Sequence, residues 1–219
     1  MRCKEIRVKI KALAIIFLLT VQTLTAAGLS GSIGGGLGAT LPQGEFNEYT
    51  KTGFSIMGFG KLNMASLPFV SYRLGVQGVF FERDDRSVSI QGYPDDLFTE
   101  TYTNDLLKAT LGLELSPPIP GFQPYAGAGI GVYYFSSRTS LKDSEGDEIA
   151  SNTLDSKTKF GWNLQGGLRF SVFPKITLDL NAQYDIVQDL EQYSGDEVVS
   201  FNSKFLSLFA GVQVSLGLF

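Results

Sequence analysis

Apolar and polar residues alternate along most of this chain with a period of two. From Phe160 the series Phe160, Trp162, Leu164, Leu168 and Phe170 interleaves with Gly161, Asn163, Gln165, Gly167 and Arg169. Ile176, Leu178, Leu180, Ala182, Tyr184 and Ile186 do the same against Thr177, Asp179, Asn181, Gln183 and Asp185. Leu206, Leu208, Ala210, Val212, Val214, Leu216 and Leu218 alternate with Ser207, Phe209, Gly211, Gln213 and Ser215. Similar runs lie upstream at 70–80, 107–115 and 126–134. This pattern predicts strands, and long ones, since globular strands average about 5–6 residues. A first strand, Leu29 to Ala39, is rich in glycine. A second, 52–63, is the least regular, because Met57 and Phe59 fall on the side of Lys61 and Asn63. The prediction is eight strands.

The connections alternate in kind. Strands 2 and 3, 4 and 5, and 6 and 7 are joined by tight, proline-bearing turns at Pro68, Pro117–Gly121 and Phe173-Pro174-Lys175. The other connections, about 41–51, 84–103, 138–156 and 189–202, are expected to be long polar loops. An up-and-down meander with short turns at one end and long loops at the other is the plan of a transmembrane barrel.

Residues 1–27 read as an export signal: a basic start from Arg2 to Lys11, an apolar run from Ala12 to Val21, and small residues offering cleavage after Ala27. That run is too short to cross a bilayer as a helix. The expected organisation is a cleaved signal peptide, 1–27, and one barrel domain, 28–219. Loss of the leader, with five bases and one acid, takes the net charge from −4 to −8. Cys3 leaves with it, and the sequence contains no histidine. Disulfides, thiolate nucleophiles, His/Cys zinc sites and every histidine-based catalytic arrangement are thereby excluded from the expected mature chain. An acidic balance without a basic stripe argues against a nucleic-acid partner. After Ala27 no apolar run is long enough for a membrane-spanning helix.

Alternation does not say which face meets lipid. A soluble barrel puts its apolar face inside, and a membrane barrel puts it outside. Several features favour the membrane arrangement. The polar face is full of glycine, which weakens a water-facing strand but makes room for long polar neighbours in a narrow lumen. The apolar face carries no charge in the middle of strands 3 to 8, where a Lys or Arg would cost about 2–4 kcal/mol at the bilayer midplane. Aromatics gather near strand ends: Phe69, Phe122, Phe170, Phe173 and Phe219 towards the short turns, and Phe54, Phe80, Phe81, Tyr134, Phe135, Phe160, Trp162, Tyr184 and Phe205 towards the long loops. Two such girdles suit the two bilayer interfaces, with Phe80, Tyr134, Phe160, Trp162, Phe170 and Tyr184 as the main members. The fold class is all-β, an eight-stranded antiparallel up-and-down transmembrane β-barrel.

On these features, together with Val212-Gln213-Val214-Ser215-Leu216-Gly217-Leu218-Phe219 at the end of the sequence, the chain resembles the small eight-stranded outer-membrane barrels of Gram-negative bacteria, of the OmpA transmembrane-domain and OmpX type. The resemblance implies residence in the outer membrane, as a monomer surrounded by lipid and lipopolysaccharide. It also implies a terminal strand (Val212, Val214, Leu216, Leu218 and Phe219) read by the barrel-assembly machinery. The sequence departs from the common signal in that Phe219 is out of phase with the apolar series before it. No cofactor is expected.

In this register the inward face offers Lys61, Arg73, Lys108, Lys159 and Arg169 with Glu114, Asp179 and Asp185, a set suited to a cross-linked polar core. Eight strands leave room for side chains only, which favours a structural ion-pair network over a conduction path. The long loops hold 16 of the 21 carboxylates that follow the leader, including Asp84-Asp85, Asp95-Asp96, Asp143 to Glu148 and Asp196-Glu197. They read as a solvated surface, or as a place where divalent cations bridge carboxylates to lipid phosphates, without EF-hand spacing. Gly34 to Gly38 lacks the Lys-Ser/Thr ending of a phosphate loop. The favoured function is structural or surface-interacting, with acidic extracellular loops and a closed lumen. The alternative is a narrow channel or small-solute conduit, with Tyr125, Tyr133, Met57 and Phe59 lining a hydrophobic entrance. An enzyme is not expected, because the outer-membrane hydrolases and acyltransferases of this size resemble one another in needing a histidine.

Overall fold

A computed structural model of the protein describes residues 30–44, 46–64, 67–81, 84–88, 98–117, 119–142, 148–194 and 197–216. Residues 1–29, Leu218, Phe219 and the acidic residues Asp95, Asp96, Asp143, Glu145, Asp147 and Asp196 lie outside the described residues, and with them the expected signal peptide. The strands are β1 (Ser30–Gln43), β2 (Gly53–Met64), β3 (Leu67–Phe81), β4 (Asp84–Val88), β5 (Phe98–Leu115), β6 (Phe122–Lys142), β7 (Glu148–Phe173), β8 (Ile176–Ser194) and β9 (Glu197–Leu216), with one helical turn, α1 (Phe46–Tyr49). Every pairing is antiparallel. β3 pairs with β5, and β1 closes on β9 through Gly36↔Gly211 and Thr40↔Ser207, so that eight strands form a barrel without a free edge. β4 is an added ribbon on the start of β5, from Asp84↔Tyr102 to Val88↔Phe98.

The period of two becomes an inside and an outside. Ile130 and Phe160 are 69% and 78% exposed on the outer wall, whereas Glu114 and Asp185 on the inner wall are fully buried. The irregular second strand obeys the same parity: Phe54 and Ile56 point out, and Met57, Phe59 and Lys61 point in. On the outer wall Phe80, Tyr134, Phe160, Trp162 and Phe170 are exposed and Tyr184 is half-buried. Phe122 and Phe170, on adjacent strands, meet at a tilt with centroids 5.4 Å apart at the short-turn end. In the closing strand Val212 and Val214 face outward, and Leu216 pairs with Gly31.

The structure departs from the sequence expectation in two ways. The stretches 84–103, 138–156 and 189–202 are not simply loops. They include β4, the outer part of the β6–β7 ribbon as far as Lys142↔Glu148, and the β8–β9 ribbon as far as Ser194↔Glu197. Above the bilayer both faces of a ribbon meet water, so the ladder continues while the apolar alternation that reports it disappears. Register shifts at Ser137/Arg138 and Val187/Leu190 mark that transition, as bulges do at barrel rims. Phe81 and Phe205 are also not girdle residues. Both are buried inside the barrel, in a cluster against which half-buried Phe135 packs. They share the parity of Gln77 and Ser207, which fixes their direction.

Candidate functional site

The inner wall carries two layers of charge. The lower one, towards the short turns, is built around Glu114 of β5. Lys61 of β2 donates to Oε1 at 2.5 Å. Arg169 of β7 grips both oxygens, Nη1 to Oε1 and Nη2 to Oε2, each at 2.7 Å. Arg73 of β3 approaches Oε2 at 3.3 Å. Such paired guanidinium–carboxylate contacts are the strong kind. Asp179 of β8 accepts the Tyr125 hydroxyl proton at 2.7 Å, and that hydroxyl accepts from Asn181 Nδ2 at 2.8 Å. The second Asp179 oxygen lies 3.7 Å from Arg169 and 4.0 Å from Arg73. The two guanidinium groups lie over aromatic faces, Arg73 3.9 Å from the Phe59 centroid and Arg169 3.7 Å from that of Tyr125, which supplies a cation–π attraction in a desolvated setting.

Local sequence makes this layer possible. Gly167 stands where Tyr125 crosses the lumen, and a Cβ there would meet the phenolic oxygen at 2.5 Å. The inward glycines therefore admit rings as well as the long polar chains for which the sequence reading reserved them.

The upper layer is smaller. Lys108 of β5 donates to Asp185 Oδ2 at 2.6 Å, while Tyr133 and Gln183 donate to Oδ1 at 2.7 and 3.1 Å. Beside it Thr40 bonds Ser55 and Ser207 at 2.5 and 2.8 Å, and Gln77 Nε2 reaches Ser207 at 3.2 Å. Lys159 stands apart, half-buried at the register position opposite Tyr133, and joins no ion pair among the described residues.

Above the charge sits an apolar stopper. The stretch after β1 turns at Gly44, with φ +61°, a left-handed conformation open to glycine, and α1 brings Phe46 into the barrel mouth. Phe46 packs edge-on against Phe81 at 5.9 Å and Phe135 at 6.3 Å, and lies 6.4 Å from Phe205. Val79, Leu106, Tyr133 and Val187 complete the cluster. Nothing in the alternation pointed to Phe46, because 41–51 has no periodicity. The parity of Phe81 and Phe205 was the available signal for the rest.

Tyr125, Tyr133, Met57 and Phe59 are divided among these groups: Tyr133 belongs to the Phe46 cluster and also donates to Asp185, Tyr125 donates to Asp179, and Met57 and Phe59 pack with Phe209 in a small apolar cluster beside Arg73. Asp179 and Glu114 share Arg73 and Arg169 as ion-pair partners.

A closed antiparallel barrel with an apolar outer wall and a charged interior is a membrane-spanning β-barrel. The chain belongs to the outer membrane protein beta-barrel domain family, whose model matches residues 12–215. It is similar to neisserial surface protein A, at 15% identity and a TM-score of 0.50 over 85% of this chain and 95% of that one. OprG of Pseudomonas aeruginosa is 15% identical, with a TM-score of 0.45 over 85% and 95% of the two chains. For Ail, the attachment invasion locus protein of Yersinia pestis, the values are 15% and 0.40 over 84% and 97%. At these identities the likeness is one of fold. No curated protein matches the chain in sequence.

Proposed function

We propose that this outer-membrane barrel is a non-conducting scaffold, which anchors its acidic extracellular connections to the cell surface and has no catalytic role. The observation that carries this reading is the filled lumen: Glu114 joined to three cations, Lys108 joined to Asp185, and the Phe46 cluster across the mouth. The long β6–β7 ribbon supports it further, since a structure of that size outside the membrane serves contact and not passage. In this reading residues 1–27 are removed on export, the assembly machinery engages the last strand, and the barrel stands as a monomer among lipid and lipopolysaccharide. Divalent cations bridge the loop carboxylates to lipid phosphates.

Planar-bilayer recording on protein purified in detergent tests the proposal. The expected trace is a flat baseline at moderate voltage. Steady, reproducible openings would sink the scaffold reading in favour of a narrow channel.

A further inference from the structure

On the outer wall the β5–β6–β7 sheet rises out of the aromatic girdle in level rows. Ala109, Val132 and Phe160 share one row, Leu107, Tyr134 and Thr158 the next, and Asp105, Ser136 and Ser156 the one above. Arg138 stands over them, opposite Thr103. The β5–β6 register runs unbroken through these positions, so Arg138 keeps the outward parity of Tyr134. Over about 20 Å along the strand the wall therefore passes from an apolar row to hydroxyls and then to a guanidinium.

Arg138 is exposed and joins no ion pair among the described residues. Its fork of N–H donors is suited to a phosphate. Ser156 and Thr158 are exposed beside it on β7, and Tyr134, also exposed, carries a hydroxyl in the row beneath. Asp105, the carboxylate of the middle row, already has a partner. It lies two strand spacings from Ser156, about 10 Å, so its charge directs an anion to the β7 side.

We propose that this face binds the phosphorylated sugar headgroup of an outer-leaflet glycolipid, with Arg138 on the phosphate, Ser156 and Thr158 on sugar hydroxyls, and the acyl chains along Phe160 and Trp162. Two observations choose that occupant. The face continues the lipid-covered wall without a break, so an amphiphile whose tails lie on Phe160 brings its headgroup to the level of Ser156. Charge complementarity does the rest: a phosphate monoester on a sugar offers nearly two negative charges to Arg138, with hydroxyls around it, whereas the diester of a phospholipid offers one charge and no sugar. The inference rests on the reading that the barrel stands among lipopolysaccharide. It does not depend on whether the lumen conducts.

Diphosphoryl lipid A is the probe, with phosphatidylglycerol as the competing lipid. Native mass spectrometry of the full barrel released from detergent should show one lipid A retained, about tenfold more tightly than phosphatidylglycerol. Arg138→Gln should weaken that retention about tenfold, and Ser156→Asp, which sets a carboxylate where the headgroup lies, at least as much. Lys204→Gln removes a cation from β9, three strands away, and should change retention less than about twofold. If one of the first two variants does not fold, the other carries the comparison. Lipid A held no better than phosphatidylglycerol would overturn the lipopolysaccharide reading and the site together. Lipid A held undiminished by a folded Arg138→Gln or Ser156→Asp protein, or lost equally with Lys204→Gln, would overturn the site alone.

Discussion

The two halves of the lumen solve the same packing problem with opposite chemistry. Towards the short turns the filling is ionic: Glu114 binds Lys61, Arg73 and Arg169, and Asp179 is tied in through Tyr125. Towards the long connections it is one ion pair, Lys108–Asp185, beneath an aromatic cluster. The difference teaches that closure and cohesion are separate tasks here. The lower layer links β2, β3, β5 and β7 through a single carboxylate, so it holds strands together. The stopper rests on Phe46, from a short segment joined to the wall at its two ends, so it can leave without dismantling the ladder.

Removal of the central acid should give the largest effect. Glu114→Ala leaves three buried cations around a vacancy, and should lower unfolding free energy by about 3–5 kcal/mol in urea titrations in detergent. A loss below about 1 kcal/mol would erase the proposed contrast between the halves. Asp185→Asn is milder, because the amide oxygen still accepts from Lys108 or Tyr133. About 2 kcal/mol is the expected loss by the same titration, smaller than for Glu114. The least costly change is Phe46→Ala, at about 1 kcal/mol or less in global stability, since a segment that opens locally lies outside the cooperative unit. Its signature is access. In a Cys3→Ser, Val187→Cys background, a small water-soluble thiol reagent should label Cys at 187 at least about tenfold faster when Phe46 is absent, as buried thiols react only on exposure. Equal rates would mean that the stopper does not close the mouth.

How much was legible in the sequence follows from where water and lipid are. Where one face meets lipid and the other a polar lumen, the alternation is strict, and strands such as Phe160–Phe170 and Ile176–Ile186 can be read directly. Above the bilayer that contrast vanishes, so the outer parts of β6 and β7 look like loop in the sequence although they are paired. Parity assigns Lys61, Arg73, Lys108, Glu114, Arg169, Asp179 and Asp185 to the inward face. It says nothing of who holds whom, because Lys61 and Glu114 are 53 positions apart and meet only when β2 and β5 are both paired to β3. Phe46 was out of reach for a third reason. Its position depends on a left-handed turn at Gly44 and on the space left between Phe81 and Phe205, neither of which is periodic.

The β6–β7 ribbon has a mechanical consequence. From Phe160 the ladder runs on for about a dozen residues to Lys142↔Glu148; at about 3.3 Å per residue and a tilt near 45° its tip stands about 30 Å above the outer girdle. Two cross-bonded strands flex far less than a single one, so the tip sweeps a narrow cone and meets other molecules at arm's length from the headgroups. Trimming the ribbon by matched pairs of residues would draw that encounter inward step by step, with the anchor below left as it is.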